Sequence, residues 1–313
     1  MAGQEWAVSA LGGALTSETL SRNVRMAAQP KMRFRQLTRL EMAFGAHNGD
    51  TVTYKKFTDL EDSGRAIGEK EPVPETNFNI SDDTITIREY SNSVPYTSRL
   101  SLLAKLSVED MIIIGLMNDM AKTLDFAAAQ QFRLADGVYV PTGTTTNKTR
   151  TFTTNATAGA TATRNISTWD VRNIIQQLRS DHNCPAYDGN DYICVASSTF
   201  IRGLQEDADF VEAAKYGKPE VLFSGEVGKY YGCRFIEENH ALNGNLSGGL
   251  GEAVFIGWDA VIEIVAFEEE IQAKIAGDWG RDKGLRWVWY GGYKKVHTFS
   301  DDGQIRMIRV YSA

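Results

Sequence analysis

The sequence predicts an α+β subunit whose body carries two long projections, and three features of the 313-residue chain lead to it. One is a single long, well-bounded helical stretch from Ser107 to Gly137. Another is the alternation of helix-period and strand-period segments from Ser167 onward, closing in strands. The third is a charge asymmetry ahead of the helix, where a basic stretch is followed by an acidic one broken by Gly and Pro.

The helix, SVEDMIIIGLMNDMAKTLDFAAAQQFRLADG, is signposted at both ends. Ser107 is placed as N-cap with Asp110 three residues on, Glu109 and Asp110 complement the helix dipole, and Gly137 offers a left-handed stop. Ile113, Met117, Met120, Leu124 and Ala128 recur at three- and four-residue steps and define one face. At 1.5 Å per residue the rod is roughly 40 Å long. Its Met and Leu stripe reads as core and not as a cofactor box.

Residues 1–48 read as an N-terminal arm. Six basic residues, Arg22, Arg25, Lys31, Arg33, Arg35 and Arg39, face only Glu5, Glu18 and Glu41 there. Met32, Phe34 and Leu37 are interleaved with them. The pattern fits either a solvated arm or a strap for acidic protein or phosphate. Residues 49–99 read as a two-stranded excursion, with DTVTYKKF (Asp50 to Phe57) and DTITIREY (Asp83 to Tyr90) alternating as strands. Between them Gly64, Gly68, Pro72 and Pro74 break regular structure. From Asp59 to Asp83 the acids Asp59, Glu61, Asp62, Glu69, Glu71, Glu75, Asp82 and Asp83 outnumber Arg65 and Lys70. A loop this long works outside its own core. An acidic loop and a basic arm in one chain point to contact between copies.

Pro141 to Arg164 is Thr-rich and reads as a surface loop or weak hairpin. Ser167 or Thr168 caps a helix with Val171, Ile174, Ile175 and Leu178 on one face. Asp191 to Ser197 reads as a buried strand, Ser198 opens another helix, and Asp207 to Gly217 a further one. Lys229 to Glu238 and Ala253 to Phe267 supply strand material, as do Leu285 to Phe299 and Gln304 to Ser312.

The formal charge of -7 and pI near 5.3 disfavour a dedicated nucleic-acid binder while leaving basic segments available. No run approaches the ~20 apolar residues a membrane span needs, and the N-terminus lacks the pattern of an export signal. Cys184, Cys194 and Cys233 form no CxxC pair and read as reduced, packed thiols. His47, His182, His240 and His297 match no metal motif, and nucleophile-elbow, P-loop and dinucleotide signatures are missing. Glu268, Glu269 and Glu270 read as a solvated turn, and Asp278 with Asp282 as an acid pair lacking any means of placing a substrate. The aromatics Trp279, Trp287, Trp289, Tyr290 and Tyr293 read as part core and part interface. The expectation is no enzyme, no cofactor and no metal site.

The order of parts resembles the Hong Kong 97 (HK97) type major capsid protein of tailed bacteriophages, and is nearest to the coat proteins typified by coliphage N4. GDTVTYKKF (Gly49 to Phe57), the spacing Leu204, Asp207, Phe210, Ala214, Tyr216, SGEVGKYYGCRFIEE (Ser224 to Glu238) and GDWG (Gly277 to Gly280) carry the resemblance. It implies an HK97-like capsid fold with N-terminal arm, two-stranded extended loop, spine helix, peripheral domain and axial domain. On that plan residues 100–166 hold the spine helix and a peripheral loop, 167–270 the α/β body, and 271–313 strands returning to the peripheral domain.

The same resemblance implies a structural protein that assembles into pentamers and hexamers of an icosahedral shell around double-stranded DNA. It implies a virion protein assembled in the host cytoplasm, with DNA on the inner face, no membrane partner, and room for portal, scaffolding or decoration proteins. The assembly contacts expected are Arg22, Arg25, Lys31, Arg33, Arg35 and Arg39 on the arm and Asp59, Glu61, Asp62, Glu69, Glu71 and Glu75 on the excursion. An encapsulin-like compartment is the alternative with the same fold. A β-rich carbohydrate-binding adhesin using the Trp279 to Tyr293 aromatics is the alternative from another class.

Overall fold

The computed structural model describes residues 32–41, 49–57, 64–78, 80–207, 210, 228–242 and 251–313. In chain order the strands and helices are β1 Arg39–Glu41, β2 Thr51–Phe57, β3 Ile80–Thr86, β4 Arg88–Thr97, α1 Ser98–Leu103 and α2 Val108–Arg133. There follow β5 Gly137–Gly143, β6 Lys148–Thr153, α3 Thr168–Gln176, β7 Tyr192–Ala196 and α4 Ser198–Gln205. Next come β8 Lys229–Tyr230, β9 Cys233–Glu237, β10 Gly251–Ile256 and β11 Val261–Ala273. The chain closes with β12 Asp282–Lys295, α5 Phe299–Asp302 and β13 Met307–Ser312.

Three sheets organise these parts. A long sheet in the order β1-β11-β12-β4 is antiparallel except that β1 runs parallel to β11. Seven strands in the order β6-β5-β13-β10-β7-β9-β8 form a second sheet, and β2 with β3 a separate hairpin. The long helix lies on the long sheet, where Ile112, Leu116, Leu124, Ala128 and Phe132 share a core with Tyr96, Trp287 and Trp289. Trp287 donates its indole N–H to Asp119 at 2.9 Å, and Asn92 donates to the same carboxylate at 2.8 Å. The seven-stranded sheet is covered on both faces because alternate side chains point opposite ways. Ile193, Val195, Val254 and Ile256 join the helix-side core, while Tyr192, Cys194, Ala253 and Phe255 join α3 and α4 in the second core.

The spine helix begins as read, with Ser107 accepting from Asp110 N–H at 3.4 Å. Its end differs. The helix stops at Arg133, and Gly137 opens β5, where a Cβ would lie 3.1 Å from Ile308 and 3.2 Å from Ile305. Close packing, not a left-handed turn, calls for glycine there. The buried face matches at Leu124 and Ala128 but is rotated by one residue in the first half. Ile112 and Leu116 are buried and Met117 is 51% exposed. The run Met111 to Ile114 is apolar all round, so periodicity does not choose among its faces, and the long sheet does.

Elsewhere the breaks are finer than the sequence suggested. The Thr-rich stretch forms the β5–β6 hairpin. Lys229 to Glu238 is two strands joined at Tyr231 and Gly232, whose φ values of 48° and 75° make the turn. Ala253 to Phe267 is likewise two strands, parted by a turn at Gly257 to Ala260 in which Asp259 has φ 57°. Glu268 to Glu270 lie exposed on β11 and not in a turn.

Three strand placements bear on the proposed domain plan. The excursion closes at Ile87, because β4 pairs along its whole length with β12. Residues 137–153 belong to the seven-stranded sheet, not to a peripheral loop. Residue 270 lies within β11, and β13 pairs with β10 in the seven-stranded sheet. The expected helix at Asp207 to Gly217 lies largely outside the described residues.

Candidate assembly surfaces

The β2–β3 hairpin stands on a small apolar base. Val52 and Ile85 pack on Ile262, Ile264 and Val296 of the body. Alternation along β2 buries Val52 and Lys56 and exposes Thr51, Thr53, Lys55 and Phe57. Beyond this base, residues 64–78 are extended, and Glu69, Glu71 and Glu75 are exposed. Of the six acids expected as assembly contacts, these three lie on the described part of the excursion, whereas Asp59, Glu61 and Asp62 lie outside the described residues.

Apolar groups are exposed beside those acids. Phe57, Val73, Phe78 and Ile80 are 59%, 70%, 60% and 49% exposed, and the two rings meet at 5.7 Å. The sequence reading named only the charges. The available signal was Phe57 itself, an aromatic on the face that otherwise carries Thr51, Thr53 and Lys55.

The long sheet ends in a second apolar prominence. Fourteen residues of β12 at about 3.3 Å each carry the β11–β12 turn some 45 Å from the strand's other end. At that turn Asp278, Trp279 and Gly280 have φ 46°, 55° and 85°, and Trp279 is fully exposed. A bulky residue held in the left-handed region is strained, which is characteristic of functional turns. Ile275 is 93% exposed and, on α1, Leu102 is 83% exposed. Ser98 ties α1 to the turn by donating to Arg281 and Gly280 carbonyls at 3.0 and 2.9 Å. Of the other aromatics of the expected cluster, Trp287, Trp289 and Tyr293 are core, and Tyr290 is half-buried with its ring edge-on to Phe267.

The described end of the arm docks on its own body. Phe34 is wholly buried against Phe132, ring to ring at 5.3 Å. Arg35 donates through Nε to Glu263 at 3.0 Å, pairs with Glu269, and lies over Trp289. Its backbone N–H donates to Asp125 at 3.0 Å, and Thr38 donates to Glu263 at 2.9 Å. Arg39 pairs with Asp259 at 3.2 Å. Arg35 and Arg39 therefore meet acidic partners on their own subunit. Arg33 is exposed, and Arg22, Arg25 and Lys31 lie outside the described residues.

The residue that receives the arm, Glu263, is marked in the sequence as an acid inside the apolar run VIEIVAF. It is 3% exposed and also accepts from Tyr293 at 3.1 Å. Asp125 is buried too. Burial is the main cause that pushes its carboxyl above the usual aspartate range, with Glu238 adding to it and the Arg35 and Phe34 N–H groups opposing. Among the described residues no group of His, Cys, Asp and Glu is placed to hold a metal, and no helix is long and apolar enough to cross a membrane. All three cysteines are buried and free.

This arrangement of hairpin, docked arm, long helix on a long sheet and seven-stranded body coincides with a known family. The sequence profile of the Phage capsid family matches residues 12–200, more than half of the chain. The chain belongs to the phage capsid family. It is a major capsid protein, a structural component of the virion head.

Solved capsids share its fold. A head structure of Helicobacter pylori bacteriophage KHP40 superimposes with a TM-score of 0.72 at 15% identity over 95% of each chain. The acidic stable capsid of Helicobacter pylori bacteriophage KHP30 gives 0.71 at 16% identity over 95% of each. The capsid asymmetric unit of cyanophage Pam1 gives 0.70 at 16% identity, covering 97% of this chain and 98% of that one. No curated protein sequence matches this capsid protein.

Proposed function

We propose that this capsid protein closes into an icosahedral shell of pentamers and hexamers around double-stranded DNA, through contacts its own body leaves open. The observation that carries the reading is the hairpin, which exposes Phe57, Phe78, Ile80 and Val73 beside Glu69, Glu71 and Glu75. Apolar groups grouped on a projection gain from burial that the subunit does not give them. The neighbouring subunit supplies it. The long sheet's Trp279 turn is a second such surface, and heterologous contacts of this kind generate rings and then join them. Many modest contacts made together give the lattice its strength.

Within this reading the arm's basic residues Arg22, Arg25, Lys31 and Arg33 face acidic neighbours or packaged DNA, while Arg35 and Arg39 anchor the arm. The likeness to N4-type coat proteins belongs to the proposal as well, as do portal, scaffolding and decoration partners. The subunit's role is structural and not catalytic. The test is negative-stain microscopy and sedimentation of the purified chain, followed by nuclease digestion of native particles. Hollow particles hundreds of ångströms across, and nuclease-protected DNA in native ones, are expected. A stable monomer, or particles filled with protein cargo in place of DNA, would refute it.

A further inference from the structure

The hairpin is joined to the body by two kinds of contact. Its apolar base on Ile262, Ile264 and Val296 is non-directional and tolerates tilting. Two other contacts fix direction. At Gly292 of β12 a Cβ would lie 2.7 Å from the Thr86 carbonyl and 2.9 Å from Ile85, so the root of β3 rests directly on bare backbone. Mid-strand, Asp83 is a hub. Lys294 of β12 pairs with its carboxylate and also donates to the Thr84 carbonyl at 2.8 Å. Tyr54 donates to Asp83 at 3.0 Å and lies 3.4 Å from the Lys295 carbonyl, and buried Lys56 approaches the carboxylate at 3.6 Å.

We propose that Asp83 and Gly292 are positioning residues for assembly, which together set the angle at which the hairpin leaves the body. Seven residues of strand reach about 23 Å, and residues 64–78 extend beyond them. On a lever of about 25 Å, a tilt of about 10° displaces the far end by about 4 Å, more than a hydrogen bond tolerates. The seat gives one point of contact and the charge hub gives the second, and two points define a direction. The functional consequence rests on the shell-building reading above. The orientation itself is a property of one subunit.

The experiment is a spin-label distance measurement on dilute, full-length subunit carrying Lys55→Cys on the hairpin and Ser93→Cys on β4. The native cysteines are buried and stay unlabelled. The parent gives one narrow distance distribution. Asp83→Asn and Lys294→Met each broaden it at least twofold, and the double variant is no broader than either, because the two residues form one clamp. Asp83→Glu restores the narrow width. Gly292→Ala shifts the mean distance while keeping it narrow.

Unchanged widths in Asp83→Asn and Lys294→Met, or broadening that adds in the double variant, overturns the proposal. If Asp83→Asn does not fold, Lys294→Met decides alone, since Lys294 is a third exposed. A narrow parent distribution in a protein that forms no shell would sink the shell-building reading and leave the clamp standing.

Discussion

Asp170 shows how much one side chain can hold together. It is wholly buried and accepts two hydrogen bonds from Arg164 at 2.5 and 2.7 Å, one from Tyr139 at 2.7 Å, and two from Ser167 at 3.0 and 2.7 Å. Arg164 in turn donates to the Thr142 and Thr149 carbonyls, pinning the Thr-rich hairpin to α3. Asp170→Ala strands a buried guanidinium and is expected to cost about 3–5 kcal/mol in denaturant unfolding. The sequence offered Ser167 or Thr168 as the cap, and Ser167 takes the position, within a capping box closed by Asp170. It gave no sign that Arg164 would reach the same carboxylate, because that pairing depends on where β5 and β6 lie.

Asp83 carries a pH dependence of definite sign. Partial burial opposes its charge, but hydrogen bonds from Lys294, Thr84 N–H and Tyr54 outweigh that and hold its carboxyl below the ordinary value of 3.8. A depressed folded pKa contributes stability that is present above the unfolded value and lost as pH falls through the folded one. The hairpin root is therefore expected to keep its hydrogen-exchange protection from neutral pH to about pH 5. Its Asp83-dependent part fades only below the ordinary aspartate value, and Asp83→Asn abolishes that part of the profile.

At the scale of elements, the spine helix separates what periodicity reads from what packing decides. Leu124 is wholly buried and Leu124→Ala is expected to destabilise by about 2–5 kcal/mol. Met117→Ala, at a position half exposed, is expected to change stability by about 0.5 kcal/mol or less. Chemical denaturation of the two variants side by side checks both. Reading the helix from sequence put Met117 and Leu124 on one face, and only packing of the helix into the core it shares with the long sheet distinguishes them. Strands with a single apolar face, such as β2, were read to within a residue. β4 was missed as a separate strand because residues 83–97 form one extended run, and only its partner β12 reveals that a new sheet begins at Arg88.

For the whole molecule, the hairpin was legible as a projection from charge and punctuation, while its attachment and the docking of residues 32–41 on the body were not. Phe34 and Arg35 lie in a stretch whose basic residues suggested a strap on a neighbour, and burial of Phe34 binds that stretch to its own body instead. The hairpin's apolar tip escaped notice because its acids dominate the composition. Replacing residues 64–78 by a short Gly-Ser linker is expected to leave the body's unfolding midpoint within a few degrees of the parent, since all of those residues but the half-buried Pro74 are exposed. The same change is expected to abolish particle formation in sedimentation.

The most direct measurement is a cryo-electron microscopy reconstruction of the assembled protein, traced through residues 51–86 of every subunit. The account predicts a closed shell in which Phe57, Phe78 and Ile80 of each hairpin are covered by a neighbouring subunit. A shell in which those side chains stay solvent-exposed, or fold back on their own body, would contradict it.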